Sequence, residues 1–98
     1  MHVVYLHGFA SSPASSKAMF LKNRLLAHGV EFHCPDLNYP DFSTMTVSRM
    51  VERVQAIIEN LPEGQVILCG SSLGSFVALH ATERMSRQID RMILLLSL

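Results

Sequence analysis

The 98-residue sequence predicts a three-layer α/β/α sandwich on a mostly parallel sheet. Three observations carry that prediction. Short apolar runs alternate with longer stretches patterned at helical spacing, the connections are short, and the third run is apolar throughout, as a strand covered on both faces should be. Such alternation joins parallel strands through right-handed helical crossovers. The expected order is β-α-β-α-β-α-β, about four strands and three helices in one domain spanning residues 1–98.

The first strand is expected over residues 3–6, a β-branched and aromatic run stopped by Gly8. A Ser/Pro loop follows over residues 9–16, and Ser15 or Ser16 is placed to cap the next helix. That helix is expected over residues 17–28, with Ala18, Leu21 and Leu25 on one face and Gly29 at the C′ position. Residues 31–34 read as a second strand ended by Pro35, and a loop rich in Asp, Asn, Pro and Ser runs on to Thr46. The clearest periodicity comes next. Val47, Met50, Val51, Val54, Ile57, Ile58 and Leu61 fall on one helical face, and Arg49, Glu52, Arg53, Gln55 and Glu59 take the other. Pro62-Glu63-Gly64 ends it, residues 66–69 form the third strand, a helix runs to about residue 85, and residues 92–96 form the last strand. No internal repeat or domain linker is visible.

Composition narrows the function classes. The chain is 49% apolar, enough for a real core, and its eight acidic and eight basic residues give zero net charge. That balance offers no electrostatic footprint for nucleic acid or an anionic membrane. No run approaches the roughly 18 apolar residues that span a bilayer, and the start lacks the basic segment of a signal peptide. Cys34 and Cys69 lie inside apolar runs, where cysteine behaves as a small hydrophobe. His2, His28 and His33 are scattered, with no pair at metal-ligand spacing, so neither a metal nor another cofactor is expected. A soluble, cytoplasmic protein is the expectation. A nucleotide-binding domain is disfavoured, because the first strand is not followed by G-x-G-x-x-G and no G-x-x-x-x-G-K-[ST] occurs.

The chemistry lies in Gly70-Ser71-Ser72-Leu73-Gly74, which fits G-x-S-x-G in one register with Ser72 central. In such a nucleophile elbow the serine sits on a sharp strand-to-helix turn. Strand and helix backbones nearly collide there, so only small residues fit at Gly70 and Gly74, and the hydroxyl is thrust out above the sheet. The helix that follows aims its N-terminus at the same place, which favours a developing oxyanion. One oxyanion donor is expected from the Leu73 N–H. The other is expected from the loop after the first strand, where His7-Gly8-Phe9 makes the Phe9 N–H the candidate. His7 and Gly8 then shape that loop. An ordinary glycine turn is the competing interpretation of His-Gly alone, but the elbow beside it favours the functional one.

Tyr5-Leu6-His7-Gly8-Phe9, Ser11-Ser12-Pro13, Ser16-Lys17-Ala18 and Gly70-Ser71-Ser72-Leu73-Gly74 together resemble the YqiA/YcfP-type small bacterial esterases of the α/β-hydrolase superfamily. The resemblance extends over essentially the whole sequence. It implies hydrolysis of small-molecule carboxylic esters through an acyl-serine, with Ser72 as nucleophile, Leu73 and Phe9 as oxyanion amides, and no metal or organic cofactor. Members of that group continue past the last strand seen here into a second half.

In this fold the triad runs in the order serine, acid, histidine. After Ser72 the candidates are His80, Glu83 and Asp90. His80 is eight residues up the helix, roughly 12 Å along its axis and out of hydrogen-bond reach. Its position between Leu73, Phe76 and Val77 predicts a core or partly buried histidine. Asp90 reads as a solvated turn residue at the far end of the sheet, and Asp36 and Asp41 as surface loop residues. His7 would approach Ser72 if their strands are neighbours, about 5 Å apart, but loop shaping is its expected role. The sequence therefore predicts a partial α/β-hydrolase domain that carries the nucleophile, lacks the acid and histidine, and is nearly inactive alone. Its apolar last strand would form an open edge and favour self-association. A non-catalytic module of the same fold, binding a ligand or partner, is the alternative.

Overall fold

The computed structural model describes residues 1–7, 15–38 and 46–95. The described residues form four strands and three helices in the expected alternation: β1 (His2–Leu6), α1 (Ser16–Ala27), β2 (Glu31–His33), α2 (Val47–Glu59), β3 (Val66–Ser71), α3 (Leu73–Arg84) and β4 (Arg91–Leu95). All strand pairs are parallel, in the spatial order β2-β1-β3-β4. His2 pairs with both Glu31 and Val66, and Leu6 pairs with Gly70, so β1 and β3 end together at the carboxyl edge.

Local chemistry sets the helix bounds. The Ser15 side chain accepts the Ala18 N–H at 3.2 Å and Thr46 does the same for Arg49 at 3.2 Å, each satisfying an N–H that has no partner within its helix. At the end of α1, Gly29 takes φ 74°, the left-handed conformation a C′ glycine supplies. The third strand runs two residues further than the hydrophobic run suggests. Gly70 and Ser71 still pair in the ladder, so the elbow begins inside the sheet.

Alternate strand residues feed two cores. On one face Val4, Leu6, Val66 and Leu68 meet Met50, Val51, Val54 and Ile58 of α2 and Val77, Ala78 and Ala81 of α3. Each large apolar side chain buried there contributes at most about 1.5–3 kcal/mol. On the other face Val3, Tyr5 and Cys69 pack with Ala18 of α1, joined by the half-buried Leu21 and Leu25. Among the described residues that second layer is the thinner of the two. Ile93 and Leu95 of the edge strand β4 remain 47% and 36% exposed, and an apolar hollow of about 230 Å³ lies among Val3, Leu21, Leu25, Ile67, Cys69 and Ile93.

Candidate active site

The β3–α3 turn is organised by close approach of backbone to backbone. A Cβ on Gly70 would lie 2.6 Å from the Gly74 carbonyl carbon and 2.7 Å from Ser75 Cα. A Cβ on Gly74 would lie 2.7 Å from the Leu6 carbonyl carbon, 2.8 Å from the His7 carbonyl oxygen and closer still to the Leu6 oxygen. No side chain fits either place, so the start of α3 lies directly across the end of β1. Between the two glycines Ser72 takes φ 55° and ψ −120°, the single non-glycine residue with positive φ among those described. Such a backbone costs about 1–3 kcal/mol and persists only where its surroundings hold it. Ser72 is exposed, whereas Ser71 is buried.

The neighbouring groups separate the two serines further. Ser71 Oγ receives a hydrogen bond from Lys17 Nζ at 3.3 Å. Burial raises the Tyr5 phenol pKa, opposed by its hydrogen bond with Ser71. Ser71 is therefore tied down on the α1 side of the sheet. The Ser72 N–H donates to the Leu95 carbonyl at 3.2 Å, joining the turn to β4. Leu73, the first residue of α3, has no acceptor for its N–H within the helix.

Ser75 is a site residue that sequence reasoning missed. Its buried hydroxyl donates to the Gly70 carbonyl at 3.0 Å and lies 3.4 Å from the Leu95 carbonyl, bracing the turn from below. A small polar residue directly after the second glycine was the available signal, hidden because serine at a helix start reads as ordinary capping chemistry.

His7 sits at the carboxyl end of β1, buried, and its Nε2 accepts the Leu37 N–H at 2.8 Å. That bond assigns the proton to Nδ1 and occupies the lone pair a general base would use. The Asp36 carboxylate lies 3.7 Å from the same nitrogen and accepts the Asn38 N–H at 2.9 Å in an Asx turn. The imidazole thus pins the segment after β2 against the end of β1, a shaping role. Gly8, Phe9 and Asp41 fall outside the described residues, so the expectation of a second oxyanion donor at the Phe9 N–H lies outside them too.

Two expectations about titratable groups are corrected. His80 is exposed, with its ring edge-on to the half-exposed Phe76 at 4.6 Å between centroids. The buried stripe of α3 is made of Gly74, Ser75, Val77, Ala78 and Ala81. The helix presses so closely on the sheet that small size, not hydrophobicity, marks its inner face. Asp90 is exposed at the far end as expected, but it is more than a solvated turn. Its Oδ2 accepts the Val66 N–H at 2.7 Å while its own N–H donates to the Val66 carbonyl at 2.9 Å, clipping the start of β3 to the approach of β4.

The scattered histidines are corrected too. His2, Glu31 and His33 converge at the amino end of β1 and β2. Burial, and after it the facing His2 ring, lowers the His33 pKa, with Glu31 pulling the other way. The cysteines remain apolar in character. Burial pushes the Cys34 thiol up to about 11, helped by Asp36, and raises Cys69 against the pull of Lys17, so neither is an activated thiolate. A depression of about 730 Å³ lies at the amino end between Ile58, Pro62, Arg87 and Asp90, away from the elbow.

Residues 2–94 match the sequence model described as Uncharacterised protein family (UPF0227), in agreement with the YqiA/YcfP-type resemblance of the motifs. The fold is similar to that of alpha/beta hydrolase domain-containing protein 10 from mouse, with 26% identity and a TM-score of 0.84 over 95% of this chain and 39% of that one. It is also similar to a putative hydrolase of the alpha/beta superfamily from Xanthomonas campestris pv. campestris, with 28% identity and a TM-score of 0.74 over 97% of this chain and 56% of that one. A methylesterase from Arabidopsis shares the fold at 22% identity and a TM-score of 0.77, over 100% of this chain and 44% of that one. The chain has an α/β-hydrolase fold and spans less than two thirds of the length of each of these proteins. No helix among the described residues is long and apolar enough to cross a membrane.

Proposed function

We propose that this chain, which belongs to the Uncharacterised protein family (UPF0227), is the nucleophile-bearing part of a serine hydrolase acting on carboxylic esters in the cytoplasm. The observation that carries this reading is Ser72, an exposed hydroxyl on a backbone at φ 55°, held between two glycines that admit no side chain. A strained serine at the head of a helix has no packing rationale. It suits a nucleophile that must project above the sheet.

In this reading Ser72 Oγ attacks the ester carbonyl, and the oxyanion is received by the Leu73 N–H and the Phe9 N–H. The alcohol leaves with a proton, and water then releases the acid from the acyl-serine. His7 holds the wall of the site rather than its proton, since its Nε2 is engaged by Leu37. The proton acceptor and its carboxylate partner belong to the part of the hydrolase fold that this chain does not span. The 98 residues alone then react slowly.

A fluorophosphonate probe tests this on the chain extended through the whole hydrolase fold. Labelling should be abolished by Ser72→Ala and retained by Ser71→Ala, and the 98-residue chain should label roughly 10⁴-fold more slowly or worse. A well-folded extended protein that takes no label would overturn the esterase reading and leave a binding module of the same fold.

A further inference from the structure

We infer that His2, Glu31 and His33 form a binding site for a late first-row divalent cation, zinc being the reference ion, at the end of the sheet opposite Ser72. The cluster follows from strand register. Glu31 and His33 are alternate residues of β2 and face the same side of the sheet. His2 is the β1 register partner of Glu31, so its side chain points to that side as well. The elbow follows the carboxyl ends of the strands, about 13 Å away along β1, so this site is separate from the proposed hydrolase centre and does not depend on it.

The donor spacing is compatible with the ion. His2 Nδ1 lies 3.2 Å from His33 Nε2 and 3.1 Å from Glu31 Oε2, and the latter two are 3.8 Å apart. A triangle with those sides has a point about 2.0 Å from every corner, which is the length of a zinc–imidazole or zinc–carboxylate bond. Two imidazoles with one carboxylate select zinc and its neighbours over magnesium or calcium, which take oxygen donors. The burial is graded in a way that suits a three-ligand site. His2 is 3% exposed and its ring is backed by Gly64, where a Cβ would come within 3.3 Å of Cδ2 and Nε2. His33 is half-buried and Glu31 exposed, which leaves an open side for a water as fourth ligand.

A side-chain cluster without metal would explain part of this arrangement, since an imidazole hydrogen bond and a carboxylate contact are each favourable. Such a cluster would take up no ion, so metal titration separates the two arrangements. What the ion would do is equally specific. The edge strand β2 is only three residues long, and a metal shared between β1 and β2 would fasten it to the sheet.

The experiment uses tag-free full chain, so that no engineered histidines compete. Zinc titrated by calorimetry should bind one equivalent with a Kd of about 10 µM or tighter, and saturating zinc should raise the melting midpoint by several degrees. Cobalt in its place should give the visible absorption of a four-coordinate centre. His33→Ala and Glu31→Gln should each weaken binding at least about tenfold. Neither is fully buried and both leave the buried His2 in place, so folding is checked by circular dichroism in the same samples. His28→Ala and His80→Ala, which remove exposed histidines elsewhere, should bind zinc as before, and so should Ser72→Ala. Absence of binding to the folded chain overturns the inference, and so does binding that survives both cluster variants.

Discussion

The two ends of the sheet are held by different means. At the carboxyl end the closest contacts are backbone on backbone, with the side chains of His7 and Ser75 bracing around them: Gly74 on the carbonyls of Leu6 and His7, Gly70 beneath Gly74, and the Ser72 N–H on Leu95. At the amino end side chains reach between strands: His2 to His33 and Glu31, and Asp90 to the Val66 amide. The first arrangement stores strain at Ser72 and tolerates no added atom. The second is made of replaceable contacts, each worth a kilocalorie or two. The difference suits an end that must present one hydroxyl in a fixed place and an end that needs only to keep the strands together.

The largest test of this contrast is Gly74→Ala. The added methyl would overlap the carbonyls of Leu6 and His7, and no flexible side chain is there to yield. We expect a loss of more than about 4 kcal/mol, read as failure to melt cooperatively or to express in soluble form. Gly29→Ala is the control. It places a side chain at positive φ, which Gly74→Ala does not, but no described atom lies within 4 Å of the new one, so the cost should stay near 1 kcal/mol. A loss at Gly74 no larger than that at Gly29 would mean that close approach does not govern the elbow.

At the amino end the corresponding test is Asp90→Ala. The carboxylate accepts the Val66 N–H at 2.7 Å, where the buried strand β3 begins. Its removal should cost about 2 kcal/mol, a fall of roughly 10 °C in the melting midpoint. Asp90→Asn keeps an acceptor oxygen and should recover about half. A neutral result for the alanine would show that water replaces the carboxylate freely at that edge.

The same contrast explains what was legible in the sequence. The sharp strand-to-helix turn was legible because its requirements fall on five consecutive residues, Gly70 to Gly74, and a tight turn leaves its mark locally. The α2 stripe was legible for a similar reason, since its period lies within one element. The amino-end cluster was not, because His2 and His33 are 31 positions apart and meet only through the β1–β2 register. Asp90 and Val66, separated by 24 positions, depend equally on which strands are neighbours. His80 was misplaced for another reason. A hydrophobic pattern anchored on Leu73 and Phe76 turned the helix the wrong way, whereas the tight packing around Gly74 selects Val77, Ala78 and Ala81 for the inside. Ser75 lay inside the motif's reach and was overlooked because its role is to support the turn, not to react.

The smallest effect is the most diagnostic. Ser72 holds φ 55° and ψ −120°, a conformation that glycine adopts without the steric conflict of a Cβ. Ser72→Gly should therefore stabilise the folded chain. The gain is about 1 kcal/mol, because relief of the strain is partly offset by the larger conformational entropy that glycine loses on folding. Ser72→Ala keeps the Cβ and the strain, so it should leave stability nearly unchanged while removing the hydroxyl. Chemical denaturation of the two variants beside the parent separates them at constant slope. If the glycine variant is no more stable than the alanine one, the strain at position 72 is no larger than the extra conformational entropy that glycine loses. The strongest physical reason for assigning the nucleophile to Ser72 would then be weakened.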